Sequence, residues 1–280
     1  MGETSLLIFS LFTQIAIGTM LFTFLAEILY KDKRFKLAAL VTAIFGVIGV
    51  FASFAHLGQP LSALNVLARF GQSWLSTEAV LAGIFAGVAV LYVLFVYLRA
   101  GDRGLSLALS GIGSVLGLVV VFSMAKVYST TSAPIWQGIN TFIDFYATTI
   151  ALGALLFLAT SISRIKDASK NIFGYSILAA VAVQAASAIP HALGLTEMGL
   201  AAQNSVYILN SVNGLVWAKW LLILGGAGVA LRLTFANKAS EEPKYYVGAF
   251  YTAGAALIVG QIIGRYLFYA ALVVMNAGLV

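Results

Sequence analysis

Apolar residues run through this chain in eight long blocks, at roughly 5–30, 37–56, 78–99, 104–126, 141–162, 172–190, 215–236 and 247–275. A helix needs about 20 mostly apolar residues to cross the roughly 30 Å hydrocarbon layer of a bilayer. Each block is near or above that length. Backbone in lipid must satisfy its own hydrogen bonds, so the pattern predicts eight transmembrane α-helices in a single transmembrane domain over residues 1–280. The four prolines, Pro60, Pro134, Pro190 and Pro243, fall at block ends or in connections, so no helix centre is expected to be broken.

The polar segments between the blocks set an orientation. Lys31, Lys33, Arg34 and Lys36, then Arg99 and Arg103, then Arg164, Lys166 and Lys170, then Arg232, Lys238 and Lys244 occupy alternate connections. Together they are twelve of the sixteen basic residues. Short loops rich in Lys and Arg stay cytoplasmic, which predicts an all-α bundle of eight transmembrane helices with both termini outside. The other connections, about 57–77, 127–140 and 191–214, are long and nearly uncharged. All four tryptophans, Trp74, Trp136, Trp217 and Trp220, fall on or near that outer side. They fit an interfacial aromatic belt or a docking surface for a partner.

Composition agrees with the pattern. Hydrophobic residues make up 61% of the sequence and charged residues 9%. A soluble domain carries about a quarter charged residues, so these few could not cover a water-exposed surface. The net charge of +6 lies in the short basic loops and calls for no nucleic-acid partner. The first block lacks a basic flank and a small-residue cleavage site, so it is read as a retained span. Cysteine is absent, which excludes an iron–sulfur cluster, a thiolate zinc site or a disulfide in this chain. No residue set is assigned to a metal. Gly83/Gly87, Gly113/Gly117 and Gly260/Gly264 have the spacing that lets membrane helices approach closely.

Placed by depth, the scarce ionisable groups collect on one side. His56 ends the second block, Glu78 begins the third, Lys126 and Tyr128 close the fourth, and Asp144 begins the fifth. Arg265 lies roughly 27 Å along the eighth at about 1.5 Å per residue. Arg69 sits in the outer connection. Ionisable groups in a membrane usually face one another or a functional cavity. Each also has a plain structural role available: the "HLGQP" run makes a good helix stop, Glu78 suits a helix N-terminus, and Lys126 suits a C-terminus. As a set, base, acid and cation suit a quinol. A neutral histidine, with a reference pKa of about 6.5, accepts a proton near neutrality. A carboxylate orients the imidazole or takes the next proton, and a Lys or Arg binds the oxygen that gains negative charge.

The stretch HLGQPLSALNVLARFGQSWLSTEA, His56–Ala79, resembles the signature of the membrane anchor subunit of DMSO reductase-type complexes, the DmsC family. GQIIGRYLFY, Gly260–Tyr269, is a second match, and KVYSTTSAPIW, Lys126–Trp136, a weaker third. The resemblance spans all of the sequence. It implies a haem-free anchor that oxidises menaquinol in anaerobic respiration for an iron–sulfur electron-transfer subunit and a molybdopterin catalytic subunit, at the plasma membrane. The anchor itself would be a quinol-oxidising, otherwise non-catalytic part of an oxidoreductase complex. The family's quinol-site histidine falls on His56 and its acidic partner on Glu78. Around them Arg69, Lys126, Tyr128 and Arg265 form the wider candidate set. Gln261 stands where an acid is expected and Lys126 where an arginine is. His191 matches no motif and is read as an outer-end residue after Pro190.

Three other functions compete. A quinone-reducing anchor of a sulfite-oxidising complex would share every feature above. A b-type cytochrome anchor would use both histidines as haem ligands, which fits poorly with a histidine directly after a proline. A secondary transporter would want broken helices, an internal repeat and a polar midplane. No repeat is evident, and the midplane is read as apolar.

Overall fold

The structure, a computed structural model, describes residues 2–56, 63–98, 102–165, 167–235 and 243–274. Of the positions singled out above, Pro60, Arg99, Lys166 and Lys238 lie outside the described residues, as do the side chains of His56, Lys170, Pro243 and Lys244. Among the described residues the structure is entirely helical: α1 Gly2–Leu29, α2 Lys36–His56, α3 Ala63–Ala68, α4 Trp74–Leu98, α5 Arg103–Ser129, α6 Ile139–Ser161, α7 Asp167–Glu197, α8 Gly199–Ser211, α9 Asn213–Phe235 and α10 Pro243–Ala270. Eight of these, all but α3 and α8, are long and apolar enough to cross a membrane.

The helix ends follow local chemistry. The Asp102 carboxylate accepts from the Leu105 amide at 3.2 Å and caps α5, supplying an acceptor that the first turn lacks. Helix α6 starts from Gly138, whose φ of +88° favours a residue without a Cβ.

Helix α1 is the axis of the bundle. It packs against α2, α5, α6 and α10, and most of its length is buried. Its tightest neighbour is α6, where Gly18 meets Gly153 with no room for a Cβ on either. In lipid the helices gain no hydrophobic driving force from each other, so close backbone packing of this kind carries the association. Of the three glycine pairs picked out by spacing, Gly113/Gly117 packs on Met20 and Ile17 and Gly260/Gly264 on Ile223 and Lys219. Gly83/Gly87 packs on nothing within 4 Å, so that pair is not a helix contact among the described residues. Spacing alone does not say which face a glycine occupies.

Three further expectations are corrected. Pro190 does not end its helix: α7 continues to Glu197, carrying His191 inside it, and Gly199–Ser211 forms a helix of its own rather than a loop. Proline is tolerated there because its missing N–H frees a single carbonyl, in a segment where neighbours can satisfy it. The middle of the bundle is not wholly apolar either. Thr148, Gln184 and Gln261 are buried and bonded to one another.

Candidate functional site

Alternate helices run in opposite directions, so the starts of α1, α4, α6 and α9 share one end of the bundle with the ends of α2, α5, α7 and α10. That end holds the polar cluster. On α10, Gln261, Arg265 and Tyr269 recur at i, i+4 and i+8 and share one face. All three are buried. The guanidinium of Arg265, with only 2% of its surface exposed, lies with its carbon 3.8 Å from the centre of the Phe145 ring. Its Nη2 donates to Gln14 Oε1 at 3.0 Å and lies 3.7 Å from the Asp144 carboxylate. Gln14 in turn donates to the Phe145 carbonyl at 3.1 Å. A buried cation is costly unless it is paired. Here a carboxylate, an amide oxygen and a ring face divide that role. Arg265 Nε and Nη1 are buried without a hydrogen-bond partner among the described residues. Two donors of a buried cation are therefore available to an acceptor.

Beside Arg265 lies a phenol pair. The hydroxyls of Tyr128 and Tyr269 are 3.0 Å apart, and Tyr269 donates to Ser10 Oγ at 3.4 Å. Ser10 donates onward to the Leu7 carbonyl at 3.2 Å. A carbonyl only accepts, so the relay has a direction: Tyr128 donates to Tyr269, Tyr269 to Ser10, Ser10 to the backbone. The lone pairs of Tyr128 are left to accept. Trp136, Phe145 and Phe268 wall the pair, and the Trp136 indole donates to the Phe268 carbonyl at 2.7 Å. That tryptophan is buried structure, not part of an interfacial belt, whereas Trp217 is 63% exposed.

The candidate residues therefore divide. Glu78 lies inside α4, one turn beyond its start, so it is not a cap; its side chain is only 3% exposed and within electrostatic reach of both phenols. Glu78 and Arg265 each lie within electrostatic reach of the Tyr128–Tyr269 pair. Lys126 does not join them: it is half-buried with its ammonium 5.8 Å from the Trp74 ring centre. Arg69 is exposed beyond α3, where with Val66, Ala68 and Ser76 it lines a cavity of about 500 Å³. Ser76 lies in the first turn of α4, so this cavity opens at the end of the bundle that holds Glu78. The backbone of His56 ends α2.

A family model described as DMSO reductase anchor subunit (DmsC) matches residues 1–271. The protein belongs to this family. The DmsC-type sequence is 27% identical over 275 residues to a component of the anaerobic dimethyl sulfoxide reductase of Escherichia coli, spanning 95% of this protein and 94% of the relative. It is 34% identical over 158 residues to a component of the anaerobic dimethyl sulfoxide reductase of Haemophilus influenzae, spanning 55% and 56%. It is also 26% identical over 202 residues to a component of the sulfite dehydrogenase of Allochromatium vinosum, spanning 59% and 62%.

Several residues of this candidate site do not stand out as site residues from sequence: Ser10, Gln14, Gln184 and Tyr269; Asp144 stands out only by its depth. Asp144 accepts from Gln184 at 2.7 Å, Gln184 accepts from Gln261 at 2.9 Å, and Gln261 accepts from Thr148 at 3.0 Å. The position where an acid is expected thus holds an amide that both donates and accepts within this ladder. The signal that finds these residues is a polar stripe at i, i+4 within an apolar helix: Ser10 and Gln14, Asp144 and Thr148, Gln261 and Arg265.

The opposite end of the bundle holds a separate knot. Glu27, buried in α1, accepts from Tyr92, Ser106 and Ser110 at 3.0 Å each and lies 3.9 Å from Arg34. Its lone pairs are taken by protein donors, so it ties α1, α4 and α5 together.

Proposed function

We propose that this protein is the membrane anchor through which menaquinol is oxidised for a DMSO reductase-type molybdoenzyme, at the bundle end that holds Glu78, Tyr128 and Arg265. One observation supports this reading above the others. An acid, a hydrogen-bonded phenol pair and a buried cation with two unpartnered donors converge at the end where α2 delivers His56. The family membership supports the assembly in a reductase complex.

The residues present fit a quinol headgroup. The quinol, when bound, supplies two electrons and two protons. His56 accepts the first proton and Glu78 the second, while Arg265 donates to an oxygen that gains negative charge. Tyr128, whose own proton is committed to Tyr269, accepts from a hydroxyl and orients the ring. The electrons leave to an iron–sulfur subunit docked on the same face, then to a molybdopterin subunit. Arg69, at the mouth beside Ser76, steers the headgroup inward, and Lys126 holds Trp74 beside the entrance. The basic loops support an orientation with this face on the outer side of the plasma membrane and both termini outside.

The reverse direction, quinone reduction by a sulfite-oxidising complex, is the second reading, supported by the likeness to a component of a sulfite dehydrogenase. A single assay tests the proposal. Glu78→Gln keeps the shape and removes the carboxylate. It lowers quinol-linked turnover several-fold while substrate reduction by a soluble artificial donor stays at the parent level.

A further inference from the structure

His191, unassigned by any motif, lines a cavity of about 180 Å³ between α6, α7, α9 and α10, together with Asp144, Lys219, Trp220 and Phe268. The wall is mainly apolar and aromatic, with a few polar groups of different kind, which is the usual make-up of a small-molecule site. His191 Nε2 lies 3.0 Å from the Ile135 carbonyl oxygen. A carbonyl only accepts, so Nε2 carries the proton, and in the neutral ring Nδ1 keeps its lone pair. Lys219 is half-buried, its ammonium 4.7 Å from the Trp220 ring centre, and it has no hydrogen-bond acceptor among the described residues. The cavity thus offers one strong acceptor and one strong donor across an aromatic-walled space. Asp144, already paired with Arg265, disfavours a phosphate or any other anion here.

We propose that this cavity is a second binding site for a para-hydroquinone headgroup, with one hydroxyl donating to His191 Nδ1 and the other oxygen accepting from Lys219. The ring packs on Trp220 and Phe268. The site is one of binding only; no electron transfer is assigned to it. An apolar groove of about 660 Å³ runs along α6 and α7, lined by Ile139, Ile143, Ile150, Ala180 and Val183, and gives an isoprenoid tail its place. Asn140 and Asp144, which line the cavity, each follow a groove residue directly, so head and tail sites adjoin on one helix pair. The proposal rests on the reading that this protein handles quinol, but it concerns a site apart from His56 and Glu78.

Anaerobic equilibrium dialysis of the quinone-depleted, purified complex against reduced 2-methyl-1,4-naphthoquinone tests it. The parent complex binds two molecules per anchor, and the variant carrying His191→Leu and Lys219→Met binds one. His56→Arg also binds one, and the combination binds none. Recovery of all subunits in the purified complex checks assembly. If the double variant fails to assemble, Ala188→Phe fills the cavity without removing a polar group and lowers the number from two to one. An unchanged number in the cavity variant overturns the second site. A parent that binds one molecule, lost only in His56→Arg, overturns it too. Loss in the cavity variant alone keeps this site and removes the one at His56 and Glu78.

Discussion

Arg265 Nη2 donates to Gln14 Oε1 across 3.0 Å, tying the last membrane helix to the first. Gln14 sits on the axial helix α1 and also holds the Phe145 carbonyl, so one amide fixes the cation and the ring beneath it. Gln14→Leu removes both bonds and leaves the guanidinium with one fewer acceptor. Losing a buried acceptor of a charged donor costs about 1–3 kcal/mol. Thermal unfolding of the detergent-solubilised complex shows a lower midpoint, and quinol-linked turnover falls because the cation shifts.

Glu27→Ala is the matching structural control. It strips the shared acceptor from Tyr92, Ser106 and Ser110 at the far end of the bundle. Each buried hydroxyl left unsatisfied costs about 1–3 kcal/mol. Less complex reaches the membrane, and activities with quinol and with a soluble donor fall in proportion. A selective loss of the quinol-linked activity would place Glu27 in the electron-delivering machinery instead.

Gly18→Val forces a branched side chain into the backbone of α6 at Gly153. Nothing flexible is there to yield, so the α1–α6 contact opens and assembly fails. Gly83→Val, facing nothing within 4 Å, leaves assembly intact. Immunoblots of membrane fractions separate the two. Equal loss in both variants would contradict the packing described here.

Sidedness has its own check. Gln72 is exposed at the end holding the candidate site, and Lys31 is exposed at the other. Gln72→Cys reacts with a membrane-impermeant maleimide in intact cells, and Lys31→Cys only after lysis. The reverse pattern inverts the topology and moves the site to the cytoplasmic face.

All eight spans are legible in the sequence because a membrane helix must be long and apolar, and that requirement leaves a continuous trace. Helix ends are less legible. Pro190 reads as a stop, yet α7 carries on to Glu197, because the cost of a missing N–H in one turn is small beside the hydrogen bonds retained on both sides. Glu78, Tyr128 and Arg265 are found by depth alone, since depth follows from counting residues along a helix. Depth does not give azimuth. Lys126 lies at the right height but on the face toward Trp74, and Gln14 and Tyr269 escape a reading by depth although their helices turn them inward. The i, i+4 stripes supply that missing angle.

The central claim is that His56 takes a proton from quinol while substrate is reduced on another subunit. The most direct test measures two rates in His56→Arg membranes: substrate reduction driven by a menaquinol analogue, and substrate reduction driven by a soluble artificial donor that bypasses the anchor. The account predicts that the quinol-driven rate falls at least about a hundredfold, within the usual contribution of general base catalysis, while the soluble-donor rate stays at the parent level. If His56 only ends a helix, its loss costs about 1 kcal/mol of local stability and lowers both rates together through assembly. Equal loss in both rates, or no loss in either, contradicts the account.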